Sequence, residues 1–155
     1  MKKNSATIGG DMKTALDAYT KLMRSAESVT GRINRIMAAA GLTVSQFGVL
    51  EALLHKGALC QRDIASKILK STGNITMVID NLEKRGLARR ERAAEDRRFL
   101  TIRLTDEGQR LIAAVFPRVA DAIAEEMGFL TTAEQEELGR LCRMLGRKER
   151  RGTGN

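Results

Sequence analysis

The chain has 155 residues, of which 43% are hydrophobic and 30% charged, with a formal charge of +8 and no Trp. That length holds one domain, or two small intergrown ones, with a core of its own, and the composition is that of an ordinary globular protein. It excludes a disulfide scaffold and a helical membrane span: there are two cysteines, and the apolar run 111–116 is far short of the roughly 20 residues a span needs.

The charge is unevenly placed. Residues 1–60 carry +4, residues 61–104 carry +5 and residues 105–155 carry −1. A basic middle segment points to a polyanionic partner, nucleic acid above all. One His (His55) and two distant cysteines (Cys60, Cys142) offer no zinc-type ligand set, so neither a metal nor a cofactor is expected. No Gly-rich phosphate loop or nucleophile-elbow motif is present, which argues against an enzyme. The first residues lack an apolar core of signal-peptide length, so a cytoplasmic protein with reduced thiols and no membrane association is expected.

In chain order, residues 1–11 are polar and expected to be frayed. A long amphipathic helix follows over 12–40 and stops at Gly41. Thr43, with Gln46 three residues on, predicts a capping box, and Leu42 and Phe47 a hydrophobic staple around it. The helix so started runs to about Lys56 and stops at Gly57. Residues 58–59 read as a short extended link, and a short helix from Gln61 carries Ile64, Ala65 and Ile68. A four-residue turn leads to a second helix over 72–85, with Ser71 as its N-cap. Gly86 then stands where a left-handed residue is wanted and Leu87 where an apolar one follows it, the pattern of a Schellman end.

Residues 87–92 and 99–104 read as two strands of a hairpin, the second placing Leu100, Ile102 and Leu104 inward and Thr101 and Arg103 outward. Thr105 opens a further helix with Asp106 and Glu107 in its first turn, interrupted or bent at Pro117 and ended by Gly128. The last helix starts at Thr131 or Thr132 and runs through Leu138, Leu141, Cys142 and Leu145, with Cys142 on its apolar stripe read as a core residue. The tail 149–155 is charged and expected to be disordered.

The 72–85 helix sets Ile75, Val78, Ile79 and Leu82 on one buried stripe. Its other face opens with Ser71, Thr72, Gly73, Asn74, Thr76 and Met77, short side chains that let a helix approach base edges in a major groove. The hairpin behind it is dense in arginine: Arg89, Arg90, Arg92, Arg97 and Arg98. Asp96, two residues before Arg98, is placed to hold that guanidinium by a charge-assisted bond, and a held arginine suits a narrow minor groove. Arg97 competes for that role, while Arg89, Arg90 and Arg92 are assigned to phosphates. The stretch reads as a helix-turn-helix followed by a basic wing.

These residues resemble the multiple antibiotic resistance regulator (MarR) family of winged-helix transcription factors. The matching positions are Leu82, Glu83, Gly86, Leu87 and Arg90 at the end of the recognition helix, Asp96 and Arg98 in the wing, and Leu104, Thr105 and Gly108 behind it. The resemblance implies a mainly α fold with a small β-hairpin wing. It assigns 43–104 to a winged helix-turn-helix domain, and 12–40 with 105–148 to an intertwined dimerisation region. It further implies a homodimer on a pseudo-palindromic double-stranded DNA operator, acting as a repressor and released by a small phenolic or aromatic ligand or by cysteine oxidation.

The apolar surplus of the terminal helices supports two-fold pairing independently. Tyr19, Met23, Met37, Phe47 and His55 are candidates for the border of an effector pocket. Cys60, beside Arg62 at a helix start, is either a small buried stand-in for a capping Ser or Thr, or a thiol sensor of oxidants or quinones. From another class, an RNA- or ribosome-associated basic protein stays open, although the aromatic platform for stacking bases is missing.

Overall fold

The computed structural model describes residues 5–68, 72–92, 96 and 98–147; the side chains of 5–8, 72, 73 and 147 fall outside the description. In chain order these residues form helix α1 (Ser5–Ala39), α2 (Val44–Lys56), strand β1 (Leu59–Cys60), α3 (Gln61–Lys67), α4 (Thr72–Lys84), β2 (Ala88–Arg92), β3 (Leu100–Leu104), α5 (Asp106–Met127) and α6 (Thr132–Arg147). The fold is mainly helical, with one small antiparallel sheet in the order β1-β3-β2. Two compact units divide at Val119 and Ala120.

Local signals set most of the boundaries. The capping box at α2 is complete: Gln46 N–H donates to Thr43 Oγ1 at 3.1 Å, and Thr43 N–H donates to Gln46 Oε1 at 3.0 Å. Leu42 and Phe47 are both buried beside it. At the end of α4 the Schellman pattern is formed, with Leu87 N–H donating to the Leu82 carbonyl and Gly86 N–H to the Glu83 carbonyl, each at 2.9 Å. Gly86 has φ of +68°, a region that disfavours any Cβ.

Three expectations need correcting. The first helix begins at Ser5, so most of the segment expected to be frayed is helical. Leu59 and Cys60 form a strand, pairing with Ile102 and Thr101 of β3. Two residues are too few to show alternation, so their pairing had no sequence signature. Cys142 is exposed on α6 instead of buried. Pro117 lies inside α5, which continues as a helix on both sides of it. The expected N-cap Ser71 and the tail 149–155 lie outside the described residues.

In the first unit the core gathers Ile33 and Met37 from α1, Val49, Leu50 and Leu53 from α2, and Ile64 from α3. Ile75, Ile79 and Leu82 of α4, Ile102 of β3, and Ile112, Val115 and Val119 of α5 complete it. Each fully buried aliphatic side chain contributes about 1.5–3 kcal/mol relative to exposure. The predicted inward stripe of α4 is therefore what pins that helix to the domain. Val78, the fourth member of the stripe, is half-buried.

α5 is clasped to the turn after α4. Thr105 Oγ1 donates to the Gly86 carbonyl at 2.6 Å and accepts from Gly108 N–H at 3.0 Å, while Thr105 N–H donates to the Leu87 carbonyl at 3.2 Å. At Gly108 the backbones come so close that an added Cβ would lie 1.9 Å from the Leu87 carbonyl oxygen. Gly108→Ala is therefore expected to lower stability by about 1–3 kcal/mol or more, the range for overpacking. Denaturant melting of the two proteins checks it, and an unchanged midpoint would mean the clasp yields freely.

Candidate nucleic-acid interface

Helix α4 presents two faces of opposite character. Ile75, Ile79 and Leu82 are fully buried, while Asn74 and Met77 are exposed, Met77 to 73%. Thr76, predicted on the outer face, is half-buried and accepts from Gln61 Nε2 at 2.5 Å, tying the start of α3 to α4. Thr72 and Gly73 lie in the first turn of α4, their side chains outside the description, and Ser71 lies outside the described residues altogether. The outer face that remains is short and neutral at its start and basic at its end, where Lys84 stands.

A polar network absent from the sequence reading fixes the orientation of α4. Gln46, buried at the start of α2, donates from Nε2 to Asn81 Oδ1 at 2.8 Å. Arg85 donates from Nη1 to Gln46 Oε1 at 3.1 Å and to the Gly41 carbonyl at 2.8 Å. One glutamine thus joins its own helix cap to the recognition helix, and Arg85 carries the link to the end of α1. The capping box marked Gln46 in the sequence, but its partners 35 and 39 residues away had no local signal.

The wing is built on β2 and β3, paired from Ala88 with Leu104 to Arg92 with Leu100. Its tip turn is closed by Phe99 N–H donating to the Asp96 carbonyl at 3.1 Å. Asp96 holds Arg98 as the sequence predicted. Oδ1 accepts from Arg98 N–H and Nε, each at 3.0 Å, and Oδ2 accepts from Nη2 at 2.8 Å.

The side-chain bond to Arg98, seconded by its backbone N–H, holds the Asp96 carboxyl below its ordinary range, and the same fork raises the Arg98 guanidinium. A depressed carboxyl keeps its contribution above its unfolded pKa and loses it only as pH falls through the folded value. The fork is therefore intact throughout the neutral range. The Arg98 side chain is 87% exposed, so the held cation is presented to solvent. Arg97 lies outside the described residues.

The remaining wing arginines divide by strand alternation. Arg90 turns toward α4, where it pairs with Asp80 at 2.7 Å and, more closely still, with Glu83; Glu83 Oε1 also accepts from Arg90 N–H at 2.7 Å. With its side chain 25% exposed and two carboxylates on its guanidinium, Arg90 joins wing to helix, which sets it apart from the more open arginines of the wing. Arg89 turns the other way, onto Glu91 at 2.5 Å, and Arg103 across from it reaches the same carboxylate at 3.2 Å. Arg92, exposed at the far end of β2, stays nearest the tip.

The five candidates for an effector pocket are distributed over the first unit. Met37 and Phe47 are core residues, and Tyr19 and Met23 are exposed on α1. His55, near the end of α2, meets the Phe116 ring edge-on at 4.7 Å and Glu51 at 3.5 Å. Cys60 is the half-buried N-cap of α3 and makes no side-chain capping bond, which agrees with a small apolar filler. Among the described residues no group of His, Cys, Asp or Glu is placed to hold a metal ion, and no single helix is long and apolar enough to cross a membrane.

The clamp on Arg90 makes a prediction. Arg90→Met leaves Asp80 and Glu83 facing each other unpaired and should cost about 1–3 kcal/mol of stability, less than a fully buried pair would. Thermal melting measures it. Unchanged stability together with weakened DNA binding would return Arg90 to the phosphate contacts.

The model of the MarR family matches residues 40–98 of this chain. The chain is 33% identical to the HTH-type transcriptional regulator MhqR of Bacillus subtilis over 132 residues, which cover 85% of this chain and 91% of that protein. Among solved structures it is similar to CouR from Rhodococcus jostii RHA1 bound to p-coumaroyl-CoA, with a TM-score of 0.76 at 26% identity over 83% of this chain and 91% of that one. It is similar also to Bordetella bronchiseptica BpsR, whose DNA binding is regulated by 6-hydroxynicotinic acid, with a TM-score of 0.72 at 25% identity over 84% and 98% of the two chains.

Proposed function

The chain belongs to the MarR family of DNA-binding transcriptional regulators, and we propose that it works as a homodimeric repressor that a small aromatic ligand releases from a pseudo-palindromic operator. The observation that carries the DNA-binding geometry is the Arg98 guanidinium, forked by Asp96 and exposed at the wing tip. A guanidinium already held in one rotamer loses less freedom on entering a narrow minor groove. The fork occupies Nε and Nη2, so the Nη1 N–H groups remain to donate to a new acceptor.

In this reading the outer face of α4, from Ser71 through Met77, enters the major groove, with Asn74 the side chain best suited to a base edge. Arg92 and Arg97 meet phosphates, which hold the register and carry no sequence information. Two copies related by a two-fold axis place their helices about one helical turn apart, ~10 bp. Ligand release is supported by the relatives: BpsR responds to a hydroxylated aromatic acid, and CouR holds an aromatic thioester.

Dimerisation is supported by uncovered apolar stripes, one in each unit. On α1, Met12, Leu16, Tyr19 and Met23 follow helical spacing and are each 48% exposed or more; on α6, Leu138, Leu141 and Leu145 follow helical spacing and are exposed by 38% to 65%. Contiguous exposed apolar surface of this kind marks an interface.

Operator binding at fixed salt tests the wing. Arg98→Ala should weaken it by about 10- to 100-fold, and Asp96→Ala by less, because the cation remains but is no longer held. Equal affinity for wild type and Arg98→Ala would remove the tip from the interface. The dimer is tested by sedimentation: Leu16→Glu with Leu141→Glu should yield a monomer that binds a half-site only weakly. A dimer persisting in the double variant would place the interface elsewhere.

A further inference from the structure

We propose that the hollow behind the wing is a binding site for a small organic acid that carries a hydrogen-bond donor at its other end. The hollow has a volume of about 370 Å³ and lies between the end of α2, the link to β1, the base of the sheet and the first turn of α5. That volume falls in the range of small-molecule sites. None of the five effector-pocket candidates read from the sequence lines it.

Its walls sort by chemistry. Leu53, Leu54 and Leu104 supply apolar surface, Arg89 and Arg103 supply two cations, and Asp106 and Gln109 supply a carboxylate and an amide. Arg89 and Arg103 are direct cross-strand partners. Like charges so placed repel, and the single carboxylate of Glu91 bridges them through the Nε of each. Two guanidiniums against one carboxylate leave a unit of positive charge uncompensated. The Nη groups lie outside those two contacts, a fork geometry suited to a second carboxylate. Both arginine side chains are more than half exposed, so a solute can reach them.

The carboxylate among the lining residues asks for a donor. Asp106 has no ion-pair or hydrogen-bond partner for its side chain among the described residues. Ionised, it only accepts. A ligand satisfying all three walls has a carboxylate on the arginines, an apolar body against the leucines and a hydroxyl or amino group on Asp106. A dianion is disfavoured by Asp106, and a neutral apolar molecule leaves the arginine charge unanswered.

The probes are 3-(4-hydroxyphenyl)propanoate, its methyl ester, and 3-phenylpropanoate, titrated calorimetrically into the free protein. Because no DNA is present, the outcome is separate from the operator reading. The acid should bind saturably, and the ester about 10-fold or more weaker, the loss expected when a charge-assisted bond is removed. Arg89→Gln with Arg103→Gln should weaken the acid to the level of the ester while leaving the ester unchanged.

Asp106→Asn should reduce the preference for the hydroxylated acid over 3-phenylpropanoate. These side chains lie at the surface, and matching thermal melts establish that the variants are folded. No saturable binding of the acid at millimolar concentration, or binding indifferent to the arginine pair, would overturn the assignment.

Discussion

The placement of α4, the wing and α5 relative to one another depends on one backbone approach, that of α5 to the turn at Leu87. Leu87 N–H closes the end of the recognition helix on the Leu82 carbonyl, and its own carbonyl accepts from Thr105 N–H. Its buried side chain joins the core, and strand β2 starts at the next residue. One residue thus terminates the recognition helix, anchors α5 and launches the wing. The approach is possible because Gly108 has no Cβ to strike the Leu87 carbonyl, and Thr105 Oγ1 satisfies both Gly86 and Gly108 in the space that remains. A close-packed interior transmits a displacement at such a point instead of absorbing it.

From that anchor two polar links set the remaining degrees of freedom. The Arg90 clamp on Asp80 and Glu83 fixes the base of the wing against α4. The Gln46–Asn81 and Arg85–Gly41 bonds fix α4 against the start of α2 and the end of α1. The Arg90 clamp and the Gln46–Asn81 bond are partly buried, where hydrogen bonds are less diluted by water than on an open surface. The end of α1 is therefore joined to α4 by a direct polar route that does not pass through the sheet.

Much of this was legible in the sequence where the signal is local. The capping box at Thr43 and Gln46, the Schellman end at Gly86, the inward stripe of α4 and the Asp96–Arg98 fork each involve residues within a few positions of one another. Propensity and spacing are enough to read them. What was not legible depends on pairing across the chain. Strand β1 exists because Leu59 and Cys60 meet Ile102 and Thr101, and the second role of Gln46 exists because Asn81 lies beneath it. Residues 5–11 misled for a different reason: their glycines and polar side chains weaken a helix, yet they continue the turn of a long helix already nucleated beyond them.

The arginines show how one dense basic segment acquires several functions without any change in composition. Along β2 successive side chains face opposite sides of the sheet. Arg90 therefore meets the acidic end of α4, Arg89 shares Glu91 with Arg103, and Arg98 lies beyond the ladder in the tip turn, where Asp96 holds it. A count of charge treats the three as one patch and assigns all of them to phosphate. Alternation separates them into a clamp, a wall of the hollow and a probe at the tip, and of these the last is the most exposed. In the proposed reading the positive charge of the segment attracts a duplex at long range, and the contact geometry comes from the guanidinium that Asp96 holds at the tip.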